Sequence, residues 1–138
     1  MIDRTLNPYI DEILGTPFKD KGREPGIGLD CWGTFMIAMG WFGFSVPDYG
    51  VSSLDTEAIH TCFLGLRNGP WRLVDGPGPG MALAMCLDSK MPHMVQHYGV
   101  CLDNRRFIHT LRKAGVLISK VDHRFFHNRI VGFYRWNG

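Results

Sequence analysis

The segment from Cys31 to Phe42 constrains this chain more than any other, because nearly every residue in it is apolar: Trp32, Phe35, Met36, Ile37, Ala38, Met39, Trp41 and Phe42. A helix apolar on all sides has no face to offer water, so it must be the buried central helix of a domain. Gly33 and Gly40 let neighbouring backbone approach it, Gly43 is the expected stop, and Pro47 confirms that the helix has ended. It is no membrane span. The uncharged stretch from Cys31 to Pro47 is broken by three glycines and falls short of the roughly 20 apolar residues that crossing a bilayer takes.

A cysteine opens this helix. In Gly28-Leu29-Asp30-Cys31-Trp32-Gly33 a loop turns into helix at Cys31. A thiol there meets unpaired backbone N–H groups and the positive end of the helix dipole, which favours thiolate. Asp30 is placed to cap the helix. From residue types alone this thiol is either a core side chain, the usual role of a cysteine before an apolar helix, or a nucleophile. As a nucleophile it should alkylate well below pH 8, ahead of the other three cysteines.

The surrounding elements supply the cover. Asn7-Pro8 reads as an N-cap and first helical position, giving a short helix from Pro8 to Leu14 that ends at Gly15. Thr16 to Leu29 reads as a loop that wraps before delivering Cys31. A weak helix is expected over Ser53 to Leu66, and Asp75 to Gly80 must be loop. Beyond Gly80 the pattern changes to short strands: Met81–Leu87, His97–Leu102, Arg106–Leu111, Gly115–Lys120 and Arg129–Trp136. Helices first and hairpins later give an α+β domain, one unit over residues 1–138, with the cysteine-bearing helix packed on an antiparallel sheet.

Composition excludes several functions. The net charge of +2 is too slight, and its basic residues too scattered, for nucleic acid. The N-terminus lacks a signal-type apolar run, and no membrane insertion is expected. Cys62, Cys86 and Cys101 read as reduced core thiols. His60-x-Cys62 lacks the second pair that a zinc site needs, so neither metal nor cofactor is expected.

A cysteine nucleophile requires an imidazole, and the imidazole requires an orienting group. His97 opens one strand and His109 lies on the next. A two-residue loop at Asp103-Asn104 would send them to opposite faces of the sheet. A three-residue loop would bring them to one face, with Asn104 tolerating the left-handed conformation such turns use. Gly99 beside His97 would leave room for the Cys31 helix end. A Cys31–His97–His109 triad is permitted without being compelled. His60, His93, His123 and His127 are read as outside any site.

Together these pieces resemble the NlpC/p60 family of cell-wall cysteine peptidases, in its phage-tail branch. Leu14-Gly15-Thr16-Pro17-Phe18 resembles the Gly-Thr-Pro-Tyr approach segment, and Asp30-Cys31-Trp32-Gly33 the nucleophile motif. His97-Tyr98-Gly99-Val100-Cys101-Leu102-Asp103-Asn104 followed by Arg106-Phe107-Ile108-His109 resembles the histidine strands. Arg129 to Arg135 resembles the last strand of tail-associated members. The resemblance implies a papain-like fold and hydrolysis of an amide bond in peptidoglycan stem peptides. Cys31 would be nucleophile, His97 base then acid, and His109 the orienting residue. The N–H at Cys31 would join the oxyanion hole, with Asp30, Trp32 and Phe18 around the substrate. It further implies a virion tail-tip protein, made in the host cytoplasm, whose partners are other tail proteins. Three positions depart from the family pattern. Phe18 stands for a tyrosine, Gly80-Met81 for the Gly-Asp that opens the first core strand, and Asp20, Lys21 and Arg23 for a frequent Trp-Gly-Gly.

Overall fold

The central helix is where its composition demands. The computed structural model describes residues 1–88, 90–91 and 94–138; His93 lies outside the described residues. In it, helix α2 (Cys31–Trp41) follows α1 (Asn7–Ile13) and precedes α3 (Thr56–Arg67) along the chain. A two-stranded ribbon, β1 (Arg23–Glu24) with β2 (Gly28–Leu29), leads into α2. The main sheet holds β3 (Trp71–Val74), β4 (Ala82–Met85), β5 (His97–Cys101), β6 (Arg106–Leu111), β7 (Gly115–Lys120) and β8 (Ile130–Trp136). Its spatial order is β3-β8-β4-β5-β6-β7, and every pairing is antiparallel.

α2 lies against β5 and β6. Phe35, Ala38 and Met39 of the helix share one apolar core with Ala82, Ala84, Tyr98, Val100 and Ile108 of the sheet. The other face of the sheet carries a smaller cluster of Leu83, Met85, Cys101 and Phe107, closed by Phe126. This alternation is the period of two that puts successive strand residues on opposite faces. A hydroxyl pair, Thr34 on α2 with Thr110 on β6, links helix to sheet inside the core.

Four sequence expectations are corrected. Asn7 is helical rather than a cap; the capping side chain is Asp3, which accepts the N–H of Thr5 at 2.9 Å ahead of a short 3₁₀ turn at Arg4–Leu6. β3 went unpredicted, because a four-residue strand holding Arg72 has little pattern of its own; its pairing with β8 makes it a strand. β8 does not form a hairpin with β7, as a run of consecutive hairpins would have it, but inserts between β3 and β4.

The fourth concerns Gly99. A Cβ there would fall 2.8 Å from the Phe107 ring and 3.5 Å from the His109 Cβ. It therefore clears space for the neighbouring strand on its own sheet rather than for the Cys31 helix.

Candidate active site

Three elements meet where β5 begins, β6 ends and α2 starts. The approach to α2 is fixed by Asp30, whose Oδ1 accepts the N–H of Gly33 at 2.7 Å and caps the helix. The same oxygen accepts from the Arg23 guanidinium at 2.8 Å, and Oδ2 accepts the N–H of Lys21 at 2.9 Å. Asp30 is fully enclosed, so it shapes the loop from beneath instead of facing the cavity. Arg23 also reaches Asp48 beyond the far end of α2, at 2.8 and 3.1 Å. That pairing holds the Asp48 carboxyl below its ordinary value.

The histidines share a face, and the turn between them is the reason. Leu102 donates to the carbonyl of Arg106, closing a three-residue loop, and Val100 pairs with Ile108. The loop does not use a left-handed Asn104, since Lys21 is the one described non-glycine residue with positive φ. Asp103 shapes it instead, with Oδ1 accepting the N–H groups of Arg105 and Arg106 at 2.8 and 2.7 Å. In this register His97 and His109 are diagonal neighbours, and His97 Nε2 lies 2.8 Å from His109 Nδ1. The far nitrogen of His109, Nε2, lies 2.8 Å from the Ser119 hydroxyl. His109 is wholly buried, its ring against Phe107 and Phe126.

Cys31 and His97 line one cavity of about 480 Å³, together with Phe18, Ser53, Gln96 and Thr110. Among the described residues, the thiol's side-chain hydrogen-bond contact is the Ser53 hydroxyl at 3.6 Å, not His97. Ser53 is held there by Asp20, which accepts its N–H at 2.9 Å and the hydroxyl of Ser52 at 2.8 Å. Trp32 turns away from the open cavity. Its indole donates to the carbonyl of Pro47 at 3.0 Å and its rings pack on Phe35 and Tyr98.

Electrostatics correct the thiolate expectation. Burial pushes the Cys31 thiol up to about 11, against the opposing pull of the Ser53 hydroxyl and the backbone N–H groups of Tyr98 and Trp32. Desolvation outweighs the helix end because the sulfur is almost fully enclosed. Burial likewise lowers His97 to about 4. His109 is also lowered, by burial and by the charge on His97. The resting site therefore pairs a neutral thiol with neutral imidazoles.

Sequence reasoning missed Ser53 and Ser119. Ser119 was within reach: once β6 and β7 are paired with Phe107 opposite Ser119, alternation puts its side chain on the face of His109. Ser53 heads the helix that the sequence suggests over Ser53 to Leu66, but that helix starts at Thr56, and Ser53 sits in the preceding turn, where Asp20 holds its backbone N–H. Elsewhere, His60 Nδ1 accepts the N–H of Val95 at 3.0 Å, as a structural residue does. Among the described residues no cluster of His, Cys, Asp or Glu could hold a metal ion, and no helix is long and apolar enough to cross a membrane.

A thiol at the head of a buried helix, sharing one cavity with a histidine of an antiparallel sheet that a second histidine backs, is the layout of the papain-like fold class. Solved structures narrow it to the NlpC/P60 fold. A Staphylococcus aureus protein described as similar to lipoprotein, of the NLP/P60 family, superposes with a TM-score of 0.66 at 17% identity, over all of this chain and 43% of that one. An NlpC/P60 family protein from Bacillus cereus gives 0.66 at 18% identity, over all of this chain and 42% of that one. The chain thus spans less than half the length of either protein. No family model matches the sequence, and no curated protein does.

Proposed function

We propose that this protein is a cysteine peptidase that hydrolyses an amide bond in peptidoglycan stem peptides. The observation that carries this reading is the shared cavity: Cys31 and His97 line it together, and His97 is backed by His109 at 2.8 Å. Fold similarity to NlpC/P60 proteins supports the substrate class. In the proposed reaction His97 takes the thiol proton at Nδ1, the nitrogen that His109 leaves free. The sulfur attacks the carbonyl carbon, and the N–H at Cys31 receives the developing oxyanion. Collapse expels the amine, which takes the proton from His97. Water, deprotonated by His97, then hydrolyses the thioester and restores the thiol. Because thiol and imidazole are both neutral at rest, proton transfer accompanies attack rather than preceding it.

Purified protein incubated with peptidoglycan should release cleaved stem peptides that mass spectrometry identifies. Cys31→Ala and His97→Ala should abolish the release, and equal activity in Cys31→Ala would overturn the proposal. The setting we propose is a phage tail tip, supported by the resemblance of the closing strand to tail-associated members. The protein should then be found in tails of particles that carry its gene.

A second reading is favoured by the raised thiol and by Phe18, which brings no hydroxyl to the cavity. In it the chain is a structural tail subunit of the same fold, and particles carrying Cys31→Ala assemble and infect normally.

A further inference from the structure

We propose that Ser119 is a positioning residue that sets which nitrogens of the His97–His109 pair carry protons. The proposal rests on the reading that His97 acts as base toward Cys31, and it specifies what that reading requires of the residues behind His97.

The contacts form a line. His97 Nε2 meets His109 Nδ1 at 2.8 Å, and His109 Nε2 meets the Ser119 hydroxyl at 2.8 Å. A neutral imidazole has one N–H and one lone pair, so each ring passes its polarity to the next. If His97 is to present a lone pair at Nδ1, its proton sits on Nε2 and is donated to His109. His109 then accepts at Nδ1 and carries its own proton on Nε2, where only an acceptor can satisfy it. Ser119 is that acceptor. It is half-exposed on β7, so its own hydroxyl proton can turn to water.

The opposite polarity is also closed by hydrogen bonds, with Ser119 donating, but it puts a proton on His97 Nδ1 and leaves no base there. It also blocks the second half of a reaction cycle. When His97 takes up a proton, both of its nitrogens donate, and only a bare His109 Nδ1 can face it without two hydrogens colliding.

The environment leaves this choice to Ser119. Around His109 lie Phe107 of its own strand and Phe126 of the 121–129 loop, neither of which accepts a strong hydrogen bond, and His97 of β5 is the titratable group in contact with it. Truncating Ser119 orphans the Nε2 proton of a fully buried ring. An orphaned buried donor is costlier than an under-used acceptor, so the pair should relax to the unproductive polarity.

Two-bond proton–nitrogen correlation spectra of histidine-labelled full-length protein read the tautomers directly. At pH 7.5, wild type should show protonated Nε2 and bare Nδ1 on both rings. Ser119→Ala should move both rings toward the reverse, and Ser119→Thr, which keeps the hydroxyl, should restore the wild-type spectrum. Cleavage of stem peptides should fall about tenfold or more in Ser119→Ala and recover in Ser119→Thr.

A wild-type spectrum of opposite polarity, or tautomers unmoved in Ser119→Ala, would overturn the proposal. If Ser119→Ala does not fold, the wild-type and Ser119→Thr spectra still decide. The expected tautomers in a protein that cleaves no peptide would sink the peptidase reading alone, since the spectra need no substrate.

Discussion

Two opposing fields act on the sulfur of Cys31. The helix end and the Ser53 hydroxyl favour the anion; enclosure by Trp32, Tyr98 and the loop around Ser53 favours the neutral thiol. Enclosure wins, and the thiol is pushed up to about 11. A thiol with that value is on the order of 0.1% ionised at pH 8, and the thiolate is the species that alkylates. Its labelling rate, followed by mass spectrometry, should therefore climb from pH 7 to 10 without levelling off. Ser53→Ala should slow it further at each pH. A plateau below pH 8 would show that the helix end dominates after all. The sequence located this cysteine and its helix, but not the walls that desolvate it, because those come from residues distant along the chain.

At the scale of elements, the start of α2 depends on one carboxylate. Asp30 caps the helix, pairs with Arg23 and holds the Lys21 turn, all from a fully buried position. Asp30→Ala removes the cap, worth about 1 kcal/mol, and leaves the partly buried Arg23 with Asp48 alone. A loss of about 2–4 kcal/mol in chemical denaturation is expected; a loss under about 0.5 kcal/mol would mean that Arg23 and Asp48 hold the loop without it. The capping role was legible in the position of Asp30 before an apolar run. The ion pair was not, since Asp20, Lys21 and Arg23 look like an ordinary charged loop. Two of these side chains hold other loops in place, Asp20 at Ser52–Ser53 and Arg23 at Asp48. The hairpin was legible as a choice between two registers, and Asp103 made the choice through hydrogen bonds that spacing alone does not display.

For the whole molecule, the buried histidine pair links stability to pH. Well above pH 6.5 both histidines are neutral whether the chain is folded or not. As pH falls from there toward about 4, the unfolded chain takes up protons that folded His97 refuses, and stability declines. The His97 share amounts to about 3 kcal/mol by pH 4, with His109 adding in the same direction. Asp48, whose folded value is lowered, loses its contribution only below the ordinary carboxylate value of 3.8, so the two windows separate. The melting temperature should fall between pH 6.5 and 4, and His97→Gln should flatten that slope. A level melting temperature across the window would contradict the burial of the pair. The α+β class and five of the six main strands follow from residue periodicity. The strand order does not, because nothing within Ile130–Trp136 announces which two strands it will separate.

That strand order also governs how the sheet can form. β8, the last strand in sequence, joins β3 to β4, so these two stay unconnected while the chain emerges from a ribosome. β4 to β7 can assemble from neighbouring hairpins, whereas Trp71 and its strand wait for the closing residues. Folding should therefore end in one late, slow step governed by a long-range contact, and a chain halted before Ile130 would expose an unpaired edge of β4 to other nascent chains.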